Sequence, residues 1–165
     1  MSGLVHPEED APAQRFDFAA VAPAALAAME SLQRYVDACG LDHTLLELVK
    51  QRCSQLNGCA FCTDLHARRL RQAGVSNQKI DAIAVWRESP LFTREERAAL
   101  AWGESVTLVS ADHVPDEVYH WVSRYFSGKA LADLTLAVVA INGWNRLSVC
   151  ARRDTPVERR QSSAG

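Results

Sequence analysis

"CSQLNGCAFCTDLHARRLRQAG", residues 53–74, is the stretch on which the reading of this chain turns. Asn57-Gly58 is a helix-breaking pair, and Cys59, Cys62 and His66 follow it within eight positions. Before the break, residues 42–56 place Leu45, Leu46, Val49, Cys53 and Leu56 at helical spacing. After it, a second helix is expected from about Cys59 to Gln72, with Gly74 as its stop. Two helices joined by so short a break run back alongside each other as an antiparallel hairpin.

Outward from this hairpin the chain continues to read as helix. Residues 23–38, "PAALAAMESLQRYVDA", are rich in strong helix formers, and Gly40 ends them. Ser76 caps a short helix that ends near Trp86-Arg87. Thr93 and Glu96 form the capping-box pattern and open a helix from 94 to about 109. Pro115 suits the first turn of a helix to about Phe126, which Ser127-Gly128 end. A last helix is expected over about 130–151. No run alternates with period two. The expectation is an all-α domain over 15–152, preceded by a polar arm, 1–14, and followed by a polar tail, 153–165.

The 165 residues fit one domain. A hydrophobic fraction of 48% with 23% charged residues is the balance of a globular protein, and a net charge of −2 offers nothing to nucleic acid. The longest apolar stretch, "LTLAVVAI" at 134–141, is far short of a membrane span. The N-terminus has no basic segment leading into an apolar one, so neither a signal peptide nor a membrane partner is expected, and the cytoplasm is the expected compartment. There are five cysteines, Cys39, Cys53, Cys59, Cys62 and Cys150. An odd number in a cytoplasmic chain argues against a disulfide framework and for chemistry at a subset.

Cys59, Cys62 and His66 stand at i, i+3 and i+7, which is one face of a helix. Three readings compete: a redox pair, a zinc site and buried core residues. A cysteine in a first helical turn faces unpaired N–H groups and the positive end of the helix dipole, which lowers a thiol pKa and suits dithiol–disulfide exchange. The βαβ pattern of a thioredoxin is absent. Zinc needs a fourth ligand, which Cys53 or Glu47 could supply, but the usual signature pairs two C-x-x-C knuckles and only one is present, so no metal and no cofactor is expected. Cys39, Cys53 and Cys150 read as core residues. His6, His43, His113 and His120 lack ligand spacing and read as surface or interface residues. "INGWNRL" at 141–147 is unusually polar and bulky for an apolar helix, which suggests helix packing or a subunit contact.

Glu47 enters through the hairpin. It lies about 15 Å before the turn and His66 about 12 Å after it, at 1.5 Å per residue, so the two levels nearly match. The series Glu47, His66, Cys62 then reads as carboxylate, base and nucleophile. Two arguments disagree over which cysteine attacks. The dipole favours Cys59 but is worth roughly 0.3–1 kcal/mol when exposed. His66 stands four residues from Cys62, and a paired imidazole shifts a thiol pKa by several units. The larger effect assigns attack to Cys62 and resolution to Cys59.

"CSQLNGCAFCTDLH" (53–66), "WRESPLFTREERAALAWGESVT" (86–107) and "LTLAVVAINGWNRL" (134–147) together resemble the AhpD-like branch of the carboxymuconolactone decarboxylase family. The resemblance covers about residues 15–152. It implies an AhpD-like helical domain assembled as a homo-oligomer, either a trimer or a hexamer made as a trimer of dimers. It implies a thiol-dependent peroxidase that reduces a small hydroperoxide and is reset by an external dithiol, in the family a lipoyl-bearing protein. It puts the relay carboxylate on Glu47, the relay histidine on His66, the oxidised cysteine on Cys62 and the resolving one on Cys59. The founding alkylhydroperoxidases carry a further histidine just before the second cysteine, where this chain has Phe61. The decarboxylase branch lacks the cysteine pair, so lactone decarboxylation fits poorly. A redox-sensing or thiol-exchange module built on the same pair is the alternative.

Overall fold

In the computed structural model, residues 13–156 are described. The rest of the expected arm and tail, residues 1–12 and 157–165, lie outside the described residues. The helices are α1 (Phe18–Val21), α2 (Pro23–Asp37), α3 (His43–Leu56), α4 (Ala60–Gln72), α5 (Asn77–Asp81), α6 (Arg94–Thr107), α7 (Val109–Asp112), α8 (Asp116–Val122) and α9 (Lys129–Ala151). A 3₁₀ turn, Ala82–Val85, continues α5. Among the described residues there is no strand, as the missing period-two pattern requires.

Helix starts follow local chemistry. Asp42 accepts from the Leu45 N–H at 2.8 Å, and Ser76 accepts from the Lys79 N–H at 3.2 Å. Thr93 and Glu96 close the full capping box. Caps of this kind are worth about 1 kcal/mol each. Several boundaries differ from expectation. Pro115 is the N-cap of α8 rather than part of its first turn, and that helix stops at Val122, short of Phe126. The helix from 94 ends at Thr107 and restarts as the short α7. The unforeseen α1 forms because the Asp17 side chain accepts from the Ala19 N–H at 2.9 Å.

α3 and α6 are the centre of the molecule, and each feeds two apolar clusters. Leu45, Leu46, Val49 and Cys53 of α3 meet Ala99 and Trp102 of α6 and the α9 residues Leu134, Ala137, Val138 and Ile141. Leu48 of α3 and Leu100 and Ala101 of α6 turn the other way, onto Ala67, Leu70, Ile80, Ile83, Trp86 and Phe92. Gly103 lets the central pair approach: a Cβ there would stand 2.9 Å from Val49 Cγ1 and 3.4 Å from Cys53 Sγ. Crowding of this kind costs about 1–3 kcal/mol.

α9 is long and apolar enough, by length and composition, to cross a membrane. It packs instead against α2, α3, α4 and α6, and it buries Asp133, Asn145 and Ser148. A helix covered on several sides is apolar on several sides.

Candidate active site

The α3–α4 turn sets the cysteines. Asn57 N–H bonds the Cys53 carbonyl at 3.0 Å, Gly58 takes φ +64°, and Cys59 N–H returns to the Ser54 carbonyl at 3.0 Å. Gly58 is the residue that adopts this left-handed conformation without strain. Cys59 is therefore the N-cap of α4 and not a residue of its first turn, because its backbone is still extended there. Its Sγ accepts from the Cys62 N–H at 3.2 Å. Cys59 and Cys62, with Cα atoms 5.4 Å apart, are joined as a disulfide. They are 1% and 3% exposed.

A partly buried polar network, with Ser54 and Asn145 at its buried end, fastens this turn to α9. Asn57 Nδ2 donates to Asn142 Oδ1 and to Asn145 Oδ1, each at 2.9 Å. Asn145 donates to Ser54 Oγ at 3.0 Å, and Ser54 donates to the Lys50 carbonyl at 2.8 Å. Asn142 donates to Thr107 Oγ1 at 2.9 Å. Asn142 and Asn145 are thus packing residues that fasten the cysteine turn, while Trp144 donates to Gln33 of α2 and Arg146 is exposed. An unpaired buried amide costs about 1–3 kcal/mol, so the network holds one register.

His66 Nδ1 lies 2.6 Å from Glu47 Oε2. A carboxylate can only accept, so Nδ1 carries the proton and Nε2 is the free base. Burial pulls the His66 pKa below its ordinary 6.5, outweighing the pull of Glu47 in the other direction. Burial pushes the Glu47 carboxyl up, but the hydrogen bond and charge of His66 and the ammonium of Lys50 outweigh it and hold it at about 2. At neutral pH the dyad is a carboxylate and a neutral imidazole.

Spacing did not single out Lys50. It is 3% exposed, and its Nζ lies 3.1 Å from Glu47 Oε1 and 3.7 Å from Asp37 Oδ1. The one sequence signal was its i, i+3 relation to Glu47. Arg69 Nη1 stands 3.6 Å from the same Glu47 oxygen.

Cys62 and His66 both line a cavity of about 340 Å³. Phe61, Leu65, Ile141 and Trp144 give it apolar walls, and Glu30, Gln33, Arg69, Ser148 and Arg153 complete it. Cys59 lies on a separate, shallower depression with Gly58, Ala60 and Thr63. The four residues singled out from the sequence, Glu47, Cys59, Cys62 and His66, are therefore brought together. The arrangement offers a base with one free nitrogen and a sulfur on the wall of one cavity.

The remaining cysteines divide. Cys53 is buried, and burial pushes its thiol up to about 12. Cys39 is half-buried and packs against the first apolar cluster, while Cys150 is exposed, which corrects its reading as a core residue. Cys150 sits on the outer face of α9, and an apolar neighbourhood in sequence does not say which way a helical residue points. His43, His113 and His120 are exposed, and His6 lies outside the described residues. Among the described residues no group of three His, Cys, Asp or Glu side chains is placed to hold a metal ion.

Comparison with known proteins adds the following. The model of the carboxymuconolactone decarboxylase family matches residues 23–105. The uncharacterized protein YdfG of Bacillus subtilis is 38% identical over 136 residues, which is 82% of this chain and 92% of that one. A crystal structure from Agrobacterium tumefaciens, of a protein of unknown function for which an antioxidant defence role of the AhpD kind has been suggested, matches with a TM-score of 0.87 at 40% identity, over 88% of this chain and 100% of that one. The debrominase Bmp8 shares the fold alone, with a TM-score of 0.74 at 21% identity over 82% of this chain and 73% of its own.

Proposed function

We propose that this chain, which belongs to the carboxymuconolactone decarboxylase family, is a thiol-dependent peroxidase. The observation that carries this reading is that Cys62 and His66 line one cavity while Glu47 holds the far nitrogen of His66 at 2.6 Å.

The reaction starts from the reduced pair. His66 Nε2 takes the Cys62 proton, and the thiolate attacks the terminal oxygen of the hydroperoxide. The S–O bond forms as the O–O bond breaks. The alkoxide leaves as an alcohol with the proton from His66. Sulfur loses two electrons, which the peroxide gains. The Cys59 thiolate then attacks the Cys62 sulfenic acid, water leaves, and the disulfide closes. An external dithiol of the lipoyl type resets the pair and is itself oxidised to a disulfide. The α4 N–H groups stabilise thiolate charge in the first turn.

The enzyme acts as a homo-oligomer on this reading, with the half-exposed apolar Leu108, Val109 and Val139 offering surface for a second copy. Light scattering reads that directly, and a stable monomer contradicts it.

Rapid mixing of the reduced protein with one equivalent of an organic hydroperoxide tests the chemistry. The expected result is one alcohol released per disulfide closed, with the Cys59→Ser protein trapping a sulfenic acid at Cys62. A reduced protein that leaves the hydroperoxide intact removes the reading. Sulfenic acid at Cys59 in Cys62→Ser, formed at the wild-type rate, reverses the roles.

A further inference from the structure

The cavity that holds Cys62 also holds a cation for which the reaction above has no use. Arg153 follows the C-terminal end of α9, where Arg152 takes a left-handed φ of 52° and Arg153 N–H bonds back to the Ser148 carbonyl at 2.9 Å. This bend carries the Arg153 side chain over the cysteine loop. Its guanidinium lies 3.9 Å from the centroid of the Phe61 ring, beside Cys62 in the chain. Arg153 is paired with no described carboxylate. The other cation of the cavity, Arg69, shares its charge with Glu47 at 3.6 Å. Glu30 of α2 is the acidic residue of the lining and does not pair with Arg153.

We propose that this cavity selects an apolar organic molecule bearing a carboxylate, with its body against Phe61 and Trp144 and its anion on Arg153. Resting on the peroxidase reading, the substrate class is then a carboxylate-bearing organic hydroperoxide. The physics is charge complementarity on an apolar floor. Phe61 holds the guanidinium over its ring, and the N–H fork that remains matches a carboxylate. Apolar walls supply burial, and the single matched charge supplies discrimination. Trp144, Ser148 and Arg153 also line an adjoining cavity of about 300 Å³, so the anion site stands at the junction of two spaces.

Binding and turnover test separate halves of this. The probes are cumyl alcohol carrying a para-carboxylate and the same molecule carrying a para-carboxamide, titrated calorimetrically into the disulfide form of the full chain. The acid should bind about threefold to tenfold tighter than the amide, the range of a partly exposed ion pair up to one charge-assisted bond. The preference should fall to parity in Arg153→Gln and reverse in Arg153→Glu, with thermal melts confirming that each variant is folded. Equal binding of the two probes to the wild type, binding of neither, or a preference that survives Arg153→Glu overturns the anion site. Turnover of the two corresponding hydroperoxides reports on the peroxidase reading separately. A protein that prefers the acid as stated yet reduces neither hydroperoxide keeps the anion site and loses the peroxidase.

Discussion

Glu47 on α3, half-buried, and Glu104 on α6, buried, are both carboxylates held below the ordinary carboxyl range, and they do different work. Burial raises the Glu104 carboxyl, and Trp86, Arg87 and Arg52 outweigh it. Arg52 Nε donates to it at 2.6 Å, Trp86 Nε1 donates at 2.9 Å, and Arg87 pairs with its other oxygen. None of those donors gives up a proton in water's usual range. Glu104 is therefore a strut that ties α6 to α3 and to the 3₁₀ segment. Glu47 has a similar count of partners, but one of them is an imidazole. A carboxylate that ends on a group titrating near neutrality can bias a proton. One that ends on guanidinium can only hold position. The identity of the partner, more than burial or pKa direction, separates the two roles.

The comparison breaks outright if the Glu47 side does not lead to a sulfur. Cys62→Ser should abolish hydroperoxide consumption, while Cys59→Ser should lose turnover but keep one oxidation per chain. Consumption assays with mass mapping read both. A Cys62→Ser enzyme that still turns over would leave Glu47 as a second strut.

Next in size is the strut itself. Glu104→Gln should cost about 3 kcal/mol, because the largely buried Arg52 loses its counter-charge, while the exposed Arg87 is screened by water and adds little. The denaturant midpoint reports this, and the first oxidation measured on the folded protein in the cold should keep the wild-type rate. A fall in that rate with unchanged stability would erase the distinction drawn above.

His66→Ala should slow the first oxidation by about a hundredfold, the low end for a lost general base, and Glu47→Gln should slow it by less. Neither should prevent reduction of the disulfide by a dithiol. Stopped-flow half-reactions separate the two steps, and equal slowing of both would point to a distorted turn instead of a lost proton path.

The smallest effects are in pH. Neutral His66 is the working base and its pKa lies below 6.5, so the oxidation rate should fall only on the acid side of that value. Lys50→Met removes a cation that lowers the His66 pKa, so the acid limb should move to higher pH. An unmoved limb would reduce Lys50 to packing. Stability has its own signature. Ionised Glu47 contributes fully above its ordinary 4.5 and loses that contribution as pH falls toward about 2. The stability gap between wild type and Glu47→Gln should therefore close over that window in acid melts.

Much of this site could be read along the chain. The pair Asn57-Gly58 announced the hairpin, and the hairpin put Glu47 level with His66 because rise per residue is the same in every helix. The caps at Ser76 and Thr93 are local bonds between residues three apart, so those helix starts are legible in the sequence. Cys59 stands one position before the first turn in which its sequence context places it, since an N-cap and a first-turn residue differ in backbone angle and not in sequence. Cys150 is exposed although its neighbours in sequence are apolar, because α9 is covered on several sides but not on that one.

What the sequence determined by itself is therefore the periodic and the local: an all-α chain, a cysteine pair where a helix begins, a histidine on the same face and a carboxylate at its level. What the tertiary structure decided is which side chains meet across helices far apart in the chain. Asn57 reaches Asn145 across 88 positions, Lys50 is pressed into the core beside Glu47, and Arg153 lies on Phe61. Such contacts depend on how the helices cross and how each is rotated about its axis. The packing of the two apolar clusters sets those angles, and no interval of 3.6 residues carries them.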